Sequence, residues 1–315
     1  MSERVAVLAM AYGTAAGPDD IERYYMDIRG GRPPSPELLA ELKDRYAAIG
    51  NRFPLLEITR RQATALEKEL ELREPGRFKV YLGMKHSPPF IAEGVARIRG
   101  DGIRRGVGLV LAPHYSRMSV GTYIERVQSA LREDGEPSPM FTFVESWYDN
   151  PEFIDILSSR VAEAIARLRP HEQEGCAVVF TAHSLPARIV SEGDPYPAQL
   201  QETADLVAKN LGLTSYLTAW QSAGRTPEPW LGPDLGHVVR ELAREGHSAV
   251  VVCACGFVAD HLEILYDLDI EARREAATAG ITLVRTESMN DDPAFIRALT
   301  AVVLNHVRQT VVSSE

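Results

Sequence analysis

Short apolar runs and longer amphipathic stretches alternate along almost the whole chain. Residues 4–10 form an apolar run of strand length, closed by the turn Ala11-Tyr-Gly-Thr14. A helix starts at Pro18-Asp-Asp20, where a proline and two acids suit a first turn. It carries Tyr24, Tyr25 and Arg29 and stops at Gly30-Gly31. Ser35-Pro-Glu37 opens a second helix with a cap, an early proline and an acid. That helix runs through Arg45 and Tyr46 to Gly50, and a third follows Thr59. Strands are predicted at 78–84, 107–112 and 141–145, each followed by a helix: 89–99, a second from Ser119, and 151–168. The second half repeats the plan, with strands at 177–182, 216–221, 249–253 and 281–285 and helices from near Pro197, Pro233, Val258 and Asp291.

This alternation predicts an α/β fold of two similar doubly wound lobes, each a parallel sheet flanked by helices. The boundary falls near Trp147, giving lobes 1–147 and 148–315, with the last helix packing back on the first lobe. A central cleft between strand ends is the expected ligand site. A short echo supports the duplicated plan: Leu111-Ala-Pro-His114 and Phe180-Thr-Ala-His183 both place a histidine after an apolar strand.

Composition narrows the class. Hydrophobic content of 45% and charged content of 25% are ordinary for a soluble globular protein. A net charge of -10 argues against general nucleic-acid binding. The longest apolar runs, such as 249–255, are too short to span a bilayer. Met1-Ser-Glu-Arg4 leads straight into a strand without a signal-peptide pattern, so a cytoplasmic protein is expected. Cys176, Cys253 and Cys255 cannot build a disulfide framework. Cys253 and Cys255 share one face of a strand and read as small core residues.

Three stretches carry candidate chemistry. The first is the apolar strand that delivers Thr181, His183 and Ser184 at its end, before Pro186. A histidine there can act as a base or a metal ligand near neutral pH, or simply cap a turn. The second follows Gly256. Glu263, Asp267 and Glu271 are four apart and line one face of a predicted helix, either as a solvated face or as a row of hard oxygen ligands. A strand-end histidine with a glutamate on a facing helix makes a mixed N/O pair. Such a pair suits Fe²⁺ that must bind and leave again, and metal insertion into a ligand that must lose N–H protons. The third is the Pro- and Gly-rich loop from Gln221 to Asp234, with Trp230 as an apolar anchor. Alone it reads as a structured loop, although loops often carry function.

Several long segments, in order, resemble the ferrochelatase family. They are Thr181-Ala-His-Ser-Leu-Pro186 with Gly193-Asp-Pro-Tyr196; Gln221-Ser222 with Trp230-Leu-Gly-Pro233; and Gly256-Phe257 with Asp260-His-Leu-Glu263 and Tyr266-Asp267. Trp147-Tyr-Asp-Asn-Pro-Glu-Phe153 is a further match, and the likeness runs from Met10-Ala-Tyr-Gly-Thr14 to Phe295. The resemblance implies a two-lobed chelatase fold and a lyase of haem biosynthesis that inserts Fe²⁺ into a porphyrin held in the cleft. By motif matching, His183 and Glu263 are the iron-handling and proton-accepting pair. Asp267 and Glu271 match an outer acidic row that can hold a second divalent cation such as Mg²⁺, with Arg45 nearby. The expected arrangement is an imidazole and a carboxylate from the two lobes, facing each other across a gap wide enough for a flat tetrapyrrole. The lobe boundary, however, assigns both residues to 148–315.

Tyr12 resembles the branch, found in Gram-positive-type bacteria, that acts on coproporphyrin III, where this tyrosine ligates the product's iron axially. Arg29, Arg45, Tyr46 and Tyr123 match positions that line the porphyrin there. Four propionates on that substrate call for arginines at the cleft mouth. Tyr24 and Tyr25 either stack on the macrocycle or pack on the core, and Lys85, Ser116 and Thr122 are further candidates to line the pocket. Phe53 occupies another substrate-binding position, where relatives often carry a small polar residue, which puts one propionate contact in doubt. Cys253 and Cys255 stand at positions commonly free of cysteine in this branch.

The resemblance implies Fe²⁺ as a substrate and no organic cofactor. Because no cysteine follows Cys255, no iron–sulfur cluster is expected. The implied partners are coproporphyrin III, Fe²⁺ and a transient contact with the next haem-pathway enzyme, with no nucleic acid and no transmembrane segment, for a monomeric protein. Alternatives are a protoporphyrin IX ferrochelatase, a chelatase loading cobalt or iron into a tetrapyrrole such as sirohydrochlorin, and a non-catalytic porphyrin or haem carrier.

Overall fold

Each apolar run forms a short parallel strand. The computed structural model describes residues 4–132 and 138–312; Met1, Ser2 and Glu3, where a leader would begin, lie outside them. One sheet contains β1 (Val5–Ala11), β2 (Phe78–Met84), β3 (Arg105–Val110) and β4 (Met140–Val144), in the order β2-β1-β3-β4. The other contains β5 (Cys176–His183), β6 (Tyr216–Gln221), β7 (Ala249–Cys253) and β8 (Thr282–Arg285), in the order β6-β5-β7-β8. All the strand pairs are parallel. All seven residues of β1 are buried, as expected of a central parallel strand covered on both faces.

The two orders are the same. Each reverses direction beside its first strand, at β1/β3 and at β5/β7, and such switch points are where open α/β sheets bind ligands. The echo between residues 111–114 and 180–183 therefore joins strands that are not equivalent. It sets β3 beside β5, whereas the counterpart of β5 is β1.

Local signals fix most helix ends. Ser35 accepts from the Leu38 amide at 3.4 Å to open Pro36–Ala48. Asn150 and Asp234 cap Pro151–Ala166 and Leu235–Arg244 in the same way. The third helix, Leu55–Arg73, starts earlier than expected. Thr59 is not its cap but a buried interior residue whose hydroxyl donates to the Leu55 carbonyl at 2.7 Å.

The chain divides into two compact units. Unit 1 is Met1–Pro113, Arg117–Trp147 and Asn290–Glu315; unit 2 is His114–Ser116 and Tyr148–Met289. Within unit 1 the C-terminal helix Pro293–Val312 is tied by Phe295 against Trp147, with ring centroids 5.9 Å apart, and by His306 Nε2 2.9 Å from Thr142 Oγ1. Within unit 2, His114 Nε2 lies 2.9 Å from Thr203 Oγ1, and Ser116 donates to Asp194 at 2.9 Å. Among the described residues no helix is long and apolar enough to cross a membrane.

The acidic row departs from expectation. Its helix does not start near Val258, and it is not an α-helix. A loop runs to His261, and a π-helix spans Glu263–Ala272. Ile264, Leu268 and Ala272 repeat every four residues and are buried against the core of unit 2. Burying Ile264 and Leu268 contributes about 2–3 kcal/mol each. The acids Glu263, Asp267 and Glu271 repeat at the same spacing. A strict four-residue period drifts around an α-helix. The i→i+5 bonds of a π-helix widen the turn, so the same four-residue step falls short of a full turn there.

Candidate functional site

His183 is the last residue of β5, paired with Gln221 on β6. Its Nδ1 donates to the Ser184 carbonyl, since a carbonyl can only accept. That bond turns Nε2 toward Glu263, whose Oε1 lies 3.5 Å away. The other carboxylate oxygen, Oε2, lies 3.6 Å from Nε2 of His261. His261 is held as His183 is, with Nδ1 2.9 Å from the Ala259 carbonyl. Glu263 thus stands between two imidazoles, each oriented by a backbone carbonyl. The ring of Phe257 lies 6.5 Å from His183 and 5.1 Å from His261.

The His183 and Glu263 side chains are 34% and 29% exposed, so both are accessible to a ligand. Burial opposes charge on each, but their mutual attraction outweighs it. The Glu263 carboxyl is held far below the usual carboxylate range by His183 and then His261. The His183 imidazole is raised above its ordinary value by Glu263, the Ser184 carbonyl and Asp267. Behind His183, the buried phenol of Tyr196 donates to the His183 carbonyl at 3.0 Å.

The expected gap between imidazole and carboxylate is absent. Both groups belong to unit 2, at the β5/β7 switch point, and atoms 3.5 Å apart leave no room for a macrocycle between them. A flat ligand can lie against the pair but not inside it.

The remaining candidates fall into two sets. Asp267 and Glu271 lie in unit 2. Asp267 is 8% exposed and accepts from the Ser222 hydroxyl, while Glu271 is exposed. Among the described residues no group of three or more His, Cys, Asp or Glu side chains is arranged to hold a metal ion. The outer row therefore supplies an incomplete donor set by itself.

Unit 1 holds the others. Tyr12 follows β1, is 41% exposed, and has its ring centroid 4.6 Å from that of His86. His86 is in turn 2.7 Å from Asp27. The Lys85 ammonium lies 5.6 Å from the Tyr12 ring centroid and 5.2 Å from that of Tyr123. Burial, then Arg126, lowers the pKa of Lys85 to about 8. Arg29 lies 5.8 Å from the Tyr25 ring centroid and Arg45 is half-buried. Tyr24 is a core residue, whereas Tyr25 is only half-buried. Phe53 stacks on Tyr46 at 4.5 Å, so this position presents a ring face and no hydrogen-bond donor. Cys253 and Cys255 are both buried.

A cavity of about 1310 Å³ lies elsewhere, along the β2 edge of unit 1. Much of its charge is matched internally: Asp20 with Arg23, Lys79 with Asp101, and Glu67 on the Val80 amide. Among its lining residues no base and ligand converge as His183 and Glu263 do. His261, Ser222 and Tyr196 lie in the family-like segments but were not named there as site residues; the second histidine two residues before Glu263 was a further signal for His261.

Residues 4–307 match the family model described as ferrochelatase. The coproporphyrin III ferrochelatase of Anoxybacillus flavithermus is 47% identical over 312 residues, covering 98% of this chain and 98% of that protein. That of Bacillus subtilis is 46% identical over 304 residues, covering 96% and 97%. A ferrochelatase of Thermus thermophilus is 48% identical over 313 residues, covering 94% and 98%. Among solved structures, SirB from Bacillus subtilis with Fe³⁺ gives a TM-score of 0.57 at 13% identity, covering 99% of this chain and 97% of that one. That likeness is one of fold.

Proposed function

The chain belongs to the ferrochelatase family, and from that premise we propose that it inserts Fe²⁺ into coproporphyrin III in haem biosynthesis. Iron enters as Fe²⁺ and stays so, while two pyrrole N–H protons leave. The observation that carries the reading is the 3.5 Å contact between His183 Nε2 and Glu263 Oε1 at a sheet switch point. The curated relatives named for coproporphyrin III support the choice of substrate.

Only Nε2 of His183 is on offer, because Nδ1 is committed to the Ser184 carbonyl. One nitrogen cannot hold iron and a proton together. His183 and Glu263 therefore divide the work: while one ligates the incoming ion, the other accepts a pyrrole proton, and the roles pass between them as the second proton leaves. A macrocycle bent by its binding contacts would tilt pyrrole nitrogens toward the ion, using binding energy to approach the transition state.

In the same reading Arg29 and Arg45 meet propionates through charge-assisted hydrogen bonds. Tyr12 takes the axial position on the product's iron, and Tyr46, Phe53 and Tyr123 contact the macrocycle. Glu271 and the Asp267 carboxylate suit a largely hydrated Mg²⁺, which keeps several waters and needs only one or two carboxylates. The protein would work as a cytoplasmic monomer and pass its product to the next enzyme by transient contact. SirB shares the fold at 13% identity, and a likeness of fold alone lends no support to the alternative tetrapyrrole substrates.

Anaerobic absorbance of the purified protein with Fe²⁺ and each porphyrin tests this. Coproporphyrin III should be metallated faster than protoporphyrin IX. The reverse order would move the substrate to protoporphyrin IX. Binding of both without metallation would make the protein a carrier.

A further inference from the structure

We propose that Ser222 is a positioning residue for the His183–Glu263 pair, holding the π-helix against the end of β5. The proposal deepens the reading above and rests on the roles given there to His183 and Glu263. Ser222 has φ of +59°, in the left-handed region that side chains other than Gly, Asn and Asp seldom enter. The other described non-glycine residues with positive φ are Asn51 and Asn290, which tolerate it better. A serine kept there needs a reason, and its hydroxyl supplies one. It donates to Oδ2 of Asp267, one turn along the π-helix from Glu263.

The residue before it faces the other way. The Gln221 carbonyl accepts from the Ser184 amide at 2.7 Å, and the Gln221 side chain accepts from the Thr181 hydroxyl at 2.8 Å. Two consecutive residues thus hold the two halves of the site. Gln221 grips the strand that ends in His183, and Ser222 grips the helix that carries Glu263. Continuing β6 in an extended conformation would not turn the next side chain toward the helix; the left-handed step does. A π-helix is rarely stable over ten residues, so a tie at Asp267 also fixes the segment whose register aims Glu263.

Two substitutions separate positioning from scaffolding. Ser222→Gly removes the hydroxyl and relieves the strained backbone. Ser222→Ala removes the hydroxyl and keeps the strain. Both should lower kcat for Fe²⁺ insertion about tenfold, the scale expected for losing a hydrogen bond to a charged group, with KM for the porphyrin within about twofold. The glycine variant should melt within about 2 °C of wild type, because strain relief offsets its chain entropy. A purely structural role would make activity follow Tm instead. Adding Ser222→Gly to Asp267→Ala, which leaves the hydroxyl no acceptor, should cost little more than Asp267→Ala alone, since one acts through the other.

A kcat for Ser222→Gly within twofold of wild type, or a loss that adds in full to that of Asp267→Ala, overturns the proposal. Wild type is assayed alongside, and its failure to insert iron would reject the ferrochelatase reading itself. Even then, Co²⁺ titration followed by absorbance decides the positioning claim. The glycine variant should bind Co²⁺ about tenfold more weakly, and equal affinity would refute it.

Discussion

At the scale of single residues, the site turns on how one carboxylate is shared. Glu263 has an imidazole on each oxygen, at 3.5 and 3.6 Å, but the two imidazoles are not equivalent in position. His183 closes a core strand at the switch point, while His261 sits in the loop before the π-helix. In the proposed reaction, replacing His183 with Ala removes the imidazole that shares iron ligation and proton acceptance with Glu263. We expect insertion to fall by a factor of about 10²–10⁴, the range for a positioned acid–base group. Porphyrin binding, read by fluorescence quenching, should persist, and near-normal turnover would reject the assignment. His261→Ala removes only the outer partner of Glu263. Its expected cost is about tenfold in kcat, the scale of one charged hydrogen bond, and a loss as large as that of His183→Ala would reverse the ranking.

At the scale of elements, the loop between β7 and the π-helix is constrained as tightly as the strands. Gly256 donates its amide to the Thr181 carbonyl at 3.0 Å. A Cβ at this residue would lie 2.5 Å from the Ala182 Cβ and 2.8 Å from its Cα. Neither atom can swing away, because both belong to the β5 core. Gly256→Ala should therefore destabilise unit 2 by about 1–3 kcal/mol and push the segment bearing Glu263 off β5. Tm and insertion should fall together, and an active variant with unchanged Tm would show that the loop yields freely. The strands were legible to within a residue or two, because a β-branched apolar run of that length admits few other readings. The π-helix was misread as an α-helix beginning near Val258. The acids at 263, 267 and 271 share a four-residue period with the apolar row at 264, 268 and 272, and that spacing lies between the α and π turns and so does not tell them apart. The hydroxyl of Ser222 could not be foreseen, since a left-handed serine leaves no trace in periodicity.

At the scale of the whole molecule, the duplicated α/β plan was readable from the alternation of strands and helices, but the pairing of equivalent strands was not. Sheet order depends on tertiary contacts, and the histidine echo pointed to the wrong partner. Unit 2 buries His114 and unit 1 half-buries His306, and the proposed reaction uses neither. In unit 2, burial lowers the pKa of His114 to about 3. In unit 1, burial lowers that of His306 as well. A histidine whose folded pKa lies below its unfolded value takes up protons more readily when unfolded. Stability is therefore lost as pH falls below about 6.5, the unfolded value, and for His114 the loss continues to about pH 3. The raised His183 has the opposite sign, but its contribution is complete below 6.5 and lost only as pH rises through its folded value, so it leaves this window unchanged. Within the window His114 alone should cost about 1.4 kcal/mol per pH unit, or about 2 kcal/mol between pH 6.5 and 5. Urea unfolding followed by tryptophan emission reads unit 2 preferentially, because Trp220 and Trp230 lie there and only Trp147 lies in unit 1. The urea midpoint should drop steadily from pH 6.5 to 5. In His114→Gln, which keeps a polar group for Thr203 without a titrating ring, the slope should flatten. An unchanged slope in that variant would overturn this role for His114, because Glu172, another strongly shifted group of unit 2, does not titrate in this window. Arg169, Thr282 and the Arg169 amide lower that carboxyl to about 2, and its stabilising effect is lost in the same direction but only below about pH 4.5.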